Sequence, residues 1–189
     1  MPADKLIIVA EGRTDVLLMR LLLSKELTTG MRFFAGQGRE SLATLARNLL
    51  VHEGGPLLLV MDVATAELPF QDELLAQAMQ TLSTVGTPGS FQVFTFTPEI
   101  EIIFFEAPDA VQRVLGIPLS AGVLEEGQAC PKIILHRLLN EAGVPNVDVL
   151  IRKLSQDEEA IEILCRGKQA IALREKVKTF RRVETGAGS

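Results

Sequence analysis

Four short apolar runs, separated by stretches of helical periodicity, fill the first hundred residues and constrain this chain more than any other feature. Residues 5–10 (KLIIVA, rich in β-branched side chains), 31–35, 57–61 and 91–96 (FQVFTF) are too short for core helices. Each reads as a strand. Helical patterns occupy 14–29, 41–52 and 70–82; the second places Leu42, Leu45, Leu49 and Leu50 on one face and stops at Gly54-Gly55-Pro56. Strands alternating with helices predict an α/β fold around a mostly parallel four-stranded sheet flanked by helices. After Pro98 the chain turns helical, with segments expected over 99–106, 110–115, 131–142, 147–154, 157–165 and 168–180. The pattern divides into an α/β core over 1–108 and a helical extension over 109–189 packed on the same domain. The tail after about residue 183, ending Gly-Ala-Gly-Ser, is expected to be flexible.

The material for a core is ample: 47% of the 189 residues are hydrophobic and 23% charged. No apolar run approaches the roughly 18 uncharged residues of a membrane span. The opening Met-Pro-Ala-Asp-Lys has no signal-peptide pattern, which predicts a cytoplasmic protein with no membrane partner. Cys130 and Cys165 lack metal-ligand or disulfide spacing and read as reduced thiols. There is no Trp and no Tyr, so base stacking has only nine Phe to draw on.

The net charge of -5 is uneven: residues 166–189 carry +5 and the preceding residues -10. An acidic body can hold cations, and the basic segment with Arg174, Lys178, Arg181 and Arg182 is a candidate for phosphate contacts.

Three of the four strand segments are followed at once by an acid: Glu11, Asp62, and Glu99 just beyond Thr97. Ligand sites in parallel α/β sheets form outside the carboxyl ends of the strands. Asp15 lies one helical turn past Glu11 and can face the same crevice. Clustered carboxylates repel one another unless a cation neutralises them, and an all-oxygen set suits Mg²⁺ or Mn²⁺. An acid after a strand can also be a plain helix cap. Gly36-Gln37-Gly38-Arg39 offers a turn before a helix where backbone N–H groups could meet a phosphate, although an ordinary turn explains it as well. Neither a dinucleotide-binding glycine motif nor a Walker loop is present. His52 and His136 have no evident Ser or Cys partner and read as ordinary helix residues.

With these motifs in view, Ile8-Val9-Ala10-Glu11-Gly12-Arg13-Thr14-Asp15 resembles the opening of the topoisomerase-primase (Toprim) domain, and Leu59-Val60-Met61-Asp62-Val63-Ala64 stands where that domain carries Asp-x-Asp. Over about residues 5–140 the chain is most similar to Toprim domains of the overcoming-lysogeny-defect (OLD) nucleases, in a stand-alone form. Thr97-Pro98-Glu99-Ile100-Glu101 matches the element after the fourth strand, and Lys132 matches a lysine on a later helix. The resemblance implies hydrolysis of a phosphodiester bond, in DNA ahead of RNA, with two Mg²⁺ or Mn²⁺ ions. It implies Glu11, Asp15 and Asp62 as metal ligands, Thr97, Glu99 and Glu101 completing the shells, and Lys132 stabilising charge on the phosphate. Glu11, Asp62 and Lys132 are the expected catalytic residues.

One position departs from the pattern. Ala64 stands where the family has a second acid, leaving Glu67 as a conceivable substitute. Two further functions therefore stay open: a catalytically weakened Toprim module that binds nucleic acid or a protein, and another phosphoryl-transfer enzyme such as a nucleotidyltransferase or phosphatase. The ATPase that precedes this domain in the large nucleases is absent from the sequence, so a separate ATPase or regulatory chain and a homodimer are the other expected partners.

Overall fold

The computed structural model describes residues 6–63 and 68–186. Its sheet has four strands, β1 (Ile7–Ala10), β2 (Arg32–Ala35), β3 (Leu57–Asp62) and β4 (Phe91–Phe96), in the order β2-β1-β3-β4. Every neighbouring pair is parallel. The parallel register levels Ala10 with Ala35 and Asp62 with Phe96, so the residues that follow emerge along one edge.

Side chains alternate across the sheet with a period of two. Ile7, Val9, Leu57, Leu59, Met61 and Val93 face one side, where α3 (Arg39–Glu53) and α4 (Leu68–Ser83) cover them in a smaller core. Ile8, Ala10, Leu58, Val60 and Phe96 face the other, larger core. Both faces are covered, which explains the unbroken apolar runs of β1 and β3.

The larger core is closed by α1 (Arg13–Leu22) and the helices beyond β4: α5 (Ile103–Glu106), α6 (Pro108–Leu115), α7 (Ala121–Ala129), α8 (Pro131–Glu141), α9 (Val147–Leu154), α10 (Glu158–Leu164) and α11 (Lys168–Gly186). Phe104, Leu135, Leu150, Leu173 and Phe180 bury against Ile8 and Leu58 in one continuous core.

Three local features differ from the sequence expectation. The helix expected over 14–29 breaks after Leu22, and the short α2 (Lys25–Thr28) restarts on Ser24, whose Oγ accepts a hydrogen bond from the Leu27 N–H. An N-cap hydroxyl inside a periodic pattern ends one helix and begins another. Helix α3 begins at Arg39 because Gly38 takes a left-handed φ of 94° before it. Helix α7 is an additional element; Gly122 and Gly127 lower its intrinsic propensity and hid it. Gly127 packs so closely that a Cβ would fall 2.0 Å from the Phe105 ring.

Candidate metal and phosphate site

The parallel register sets the geometry of the site. Glu11 leaves the end of β1 and Asp62 is the last residue of β3, so neighbouring strands deliver both carboxylates to the same edge. Asp15 enters from the first turn of α1, where its Oδ2 accepts the Gly12 N–H at 2.8 Å. Glu101 follows β4 on a short 3-10 turn, Ile100–Ile102. These four, with Lys132 of α8, line one cavity of about 550 Å³.

Backbone amides hold the carboxylates in place. The Asp62 N–H donates to Glu11 Oε1 at 3.1 Å, and the Ile100 N–H donates to Asp62 Oδ1 at 3.0 Å. Arg39 reaches over from α3, donating to the Asp62 carbonyl at 2.9 Å, with its Nε 3.5 Å from Glu11 Oε1. It braces the acids.

The crowding of like charge is severe. Burial pushes the Asp62 carboxyl up to about 8, and Asp15, Glu11 and Glu101 add to the rise. Burial likewise raises Asp15, against the Gly12 hydrogen bond and with Glu11 adding to it. Glu101 is only 4% exposed and is raised chiefly by burial, while Lys132 offsets part of the effect on Asp15 and Glu101. The Oε2 of Glu101 is buried without a hydrogen-bond partner among the described residues. An orphaned carboxylate oxygen beside three other acids is the donor chemistry that a hard divalent cation satisfies. Among the described residues no group of three or more Asp, Glu, His or Cys side chains is already placed to hold a metal ion. A few separated carboxylates still suit Mg²⁺ or Mn²⁺, since such ions keep several waters and take phosphate oxygens.

Other expected residues stand elsewhere. Glu99 does not line the cavity; its Oε2 accepts the Lys132 N–H at 3.3 Å, at the first turn of α8, where a negative charge complements the helix dipole. Thr97 is held by its backbone, its N–H donating to Gln169 Oε1 at 3.0 Å and its carbonyl accepting from Gln169 Nε2 at 2.6 Å. The glycine turn is not an open phosphate cradle. Gly36 N–H donates to the Ala10 carbonyl, Gln37 N–H to Ser41 Oγ and Gly38 N–H to the Glu11 carbonyl, so the turn's amides are spent on the end of β1 and on their own helix. Gly38 nevertheless lines the cavity. Ala64 and Glu67 lie outside the described residues, as does the side chain of Arg182.

The basic segment points away from the acids. Gln169, at the start of α11, is bonded to Thr97 beside β4's end, and Arg181 lies twelve residues on, about 18 Å along the helix at 1.5 Å per residue. Arg181 therefore reaches the opposite edge of the sheet, donating to the Leu27 and Thr29 carbonyls that precede β2. Lys178 pairs with Glu175 at 2.7 Å, and Arg174 Nε is buried without a hydrogen-bond partner among the described residues. Sequence clustering of charge had suggested one phosphate surface; the helix geometry removes it from the cavity.

The structure adds residues that the sequence left without a role. His136 lines the cavity one turn beyond Lys132 on α8, a four-residue spacing visible in the sequence. Arg13, Thr14, Asn146 and Asp148 complete the wall. Thr14 Oγ donates to Asp148 Oδ1 at 3.0 Å, joining α1 to α9 across 134 positions of sequence. No local pattern could have paired them.

An all-parallel four-stranded sheet, covered by helices and with half-buried carboxylates at its strand ends, defines the class of this protein. No family model and no curated protein sequence matches the chain. Among solved structures, the fold is shared with C-terminal regions of OLD proteins. One, from Burkholderia pseudomallei, aligns with a TM-score of 0.55 at 14% identity, covering 94% of this chain and 98% of that one. Another, from Xanthomonas campestris pv. campestris, aligns at 0.51 and 14% identity, covering 98% of this chain and 99% of that one. Among the described residues, no helix is long and apolar enough to cross a membrane.

Proposed function

We propose that this chain is a divalent-metal-dependent nuclease of the Toprim class, hydrolysing phosphodiester bonds in nucleic acid, with DNA as the first substrate to test. One observation carries the reading: Glu11, Asp15, Asp62 and Glu101 converge on one cavity, and Glu101 keeps a buried oxygen without a hydrogen-bond partner among the described residues. The Toprim resemblance of the sequence and the fold shared with OLD C-terminal regions support it.

In this account those four carboxylates hold Mg²⁺ or Mn²⁺. A bound cation supplies Lewis-acid polarisation of the phosphodiester and an acidified water. Asp15 and Glu11 stay oriented through the Gly12 and Asp62 amides, and Arg39 keeps the β1 and β3 ends together. Lys132 faces the cavity from the helical wall and places a positive charge where the phosphate gains negative charge. His136 stands within the same wall as a proton carrier for the leaving oxygen. No covalent nucleophile is needed.

Ala64, in place of the second acid of the Asp-x-Asp element, favours a second reading, a weakened module that binds nucleic acid or a partner protein without cutting. A plasmid-nicking assay with Mn²⁺ and with Mg²⁺, run beside Glu11→Gln, separates the two. The nuclease reading expects metal-dependent nicking that falls by at least about two orders of magnitude in the variant, since a lost ligand exceeds the 10- to 100-fold typical of its supporting groups. Nicking that survives Glu11→Gln unchanged would refute it.

A further inference from the structure

A second concavity opens beside the carboxylate cavity. On α1, Arg13, Leu17, Arg20 and Leu21 fall at i, i+4, i+7 and i+8, one stripe of the helix. On α9, Asp148, Ile151, Arg152 and Ser155 fall at i, i+3, i+4 and i+7. The two stripes face each other across a groove of about 380 Å³. Arg13 and Asp148 line both concavities, so the groove leads directly into the cavity. Leu17, Leu21 and Ile151 supply an apolar floor. Arg13, Arg20 and Arg152 are exposed, and none of them forms an ion pair among the described residues. Arg20 instead lies over the Phe33 ring, 4.6 Å from its centre.

We infer that this groove is the track along which a nucleic-acid strand enters the carboxylate cavity, with its phosphates on Arg13, Arg20 and Arg152. The inference rests on the nuclease reading and adds to it the surface that holds the substrate. A strand with one phosphate at the carboxylates must continue along the protein, and its neighbouring phosphates need cations not already spent. Three unpaired guanidiniums against the single Asp148 carboxylate give the groove that charge, and Asp148 is already engaged by Thr14. Arg13 and Arg20 stand two helical turns apart, about 10 Å along the axis, a span of more than one nucleotide. Guanidinium forks suit phosphate oxygens, and the leucine floor accepts sugar and base faces. On α11, Arg181 is committed to backbone carbonyls and Lys178 to Glu175. No charge run in the sequence marks this surface, since its arginines are drawn from positions 13, 20 and 152.

The test is fluorescence anisotropy of short labelled single-stranded and duplex DNA with the full chain. Ca²⁺ is present in place of Mn²⁺, and binding is measured across a salt series. Arg20→Ala combined with Arg152→Ala is expected to raise Kd on the order of tenfold. The slope of log affinity against log salt should flatten by about 0.7 per arginine for a single strand, or 0.9 for duplex. Arg20→Lys with Arg152→Lys is expected to recover the slope but not all of the affinity, and it keeps the test decisive if the alanine pair folds poorly. Unchanged affinity and slope in both pairs would overturn the groove, including the case in which an acidic helix of a partner protein occupies it. Loss of binding confined to Arg174→Ala or Lys178→Ala would overturn it too. Plasmid nicking by the unaltered chain judges the nuclease reading separately: nicking with groove-independent binding sinks the track alone, and groove-dependent binding without nicking sinks hydrolysis alone.

Discussion

The carboxylate cavity and the arginine groove meet at Arg13 and Asp148 but are built in opposite ways. The acids sit at strand ends and first helical turns, and backbone amides of Gly12, Asp62 and Ile100 fix Asp15, Glu11 and Asp62. The arginines project from two helix faces with no ion pair among the described residues to hold them. Like charges that must stay close despite repulsion are anchored to rigid backbone, which resists their drifting apart. Charges that meet a flexible polymer are carried on long side chains that can follow it. The cavity holds its like charges partly out of water, whereas the groove leaves its arginines exposed to solvent.

Two perturbations sharpen that contrast. The first concerns the helical wall that carries Lys132 and His136. Gly127→Ala would drive a Cβ into Phe105, which is itself buried, on the α7 helix that packs against α8. Overpacking of this kind costs roughly 1–3 kcal/mol. Urea unfolding should show that loss, and an unchanged midpoint would mean the wall is not packed as described.

The second tests the cost of burying the Asp62 charge among the other acids. In the metal-free protein the Asp62 carboxyl keeps its proton up to about pH 8, whereas its ordinary value is 3.8. Between those values the native state binds a proton that the unfolded chain has released, so stability from this group falls as pH rises through the window. Asp62→Asn cannot ionise and its amide oxygen can still accept the Ile100 N–H. Its melting temperature in chelator should match the unaltered protein below about pH 4 and exceed it by a growing margin up to about pH 8. Parallel curves would show that Asp62 carries no buried charge.

Much of the cavity was legible in the sequence because it obeys local rules. Short apolar runs ending in Glu11 and Asp62 announce strands of a parallel sheet, and register then brings their ends together. Asp15 follows Glu11 by one turn, and Glu101 follows β4 closely. The wall was less legible. Asp148 lines the cavity and meets Thr14, far away in sequence, and His136 looks like any exposed helix histidine until α8 is placed. The basic tail misled for a related reason. Charge counted along a sequence is blind to direction, and α11 carries Arg181 to the far edge of the sheet. Thr97 and Glu99 sit where a motif predicts ligands; Gln169 holds the Thr97 backbone, and the Lys132 amide donates to one Glu99 oxygen.

The central claim is that the four carboxylates form a cation site. Calorimetric titration of the metal-free chain with Mn²⁺, beside Glu11→Gln, tests it without relying on any substrate. The account predicts saturable binding to the unaltered chain, weakened at least about tenfold in the variant. Absence of saturable binding, or the same isotherm from both proteins, would contradict it.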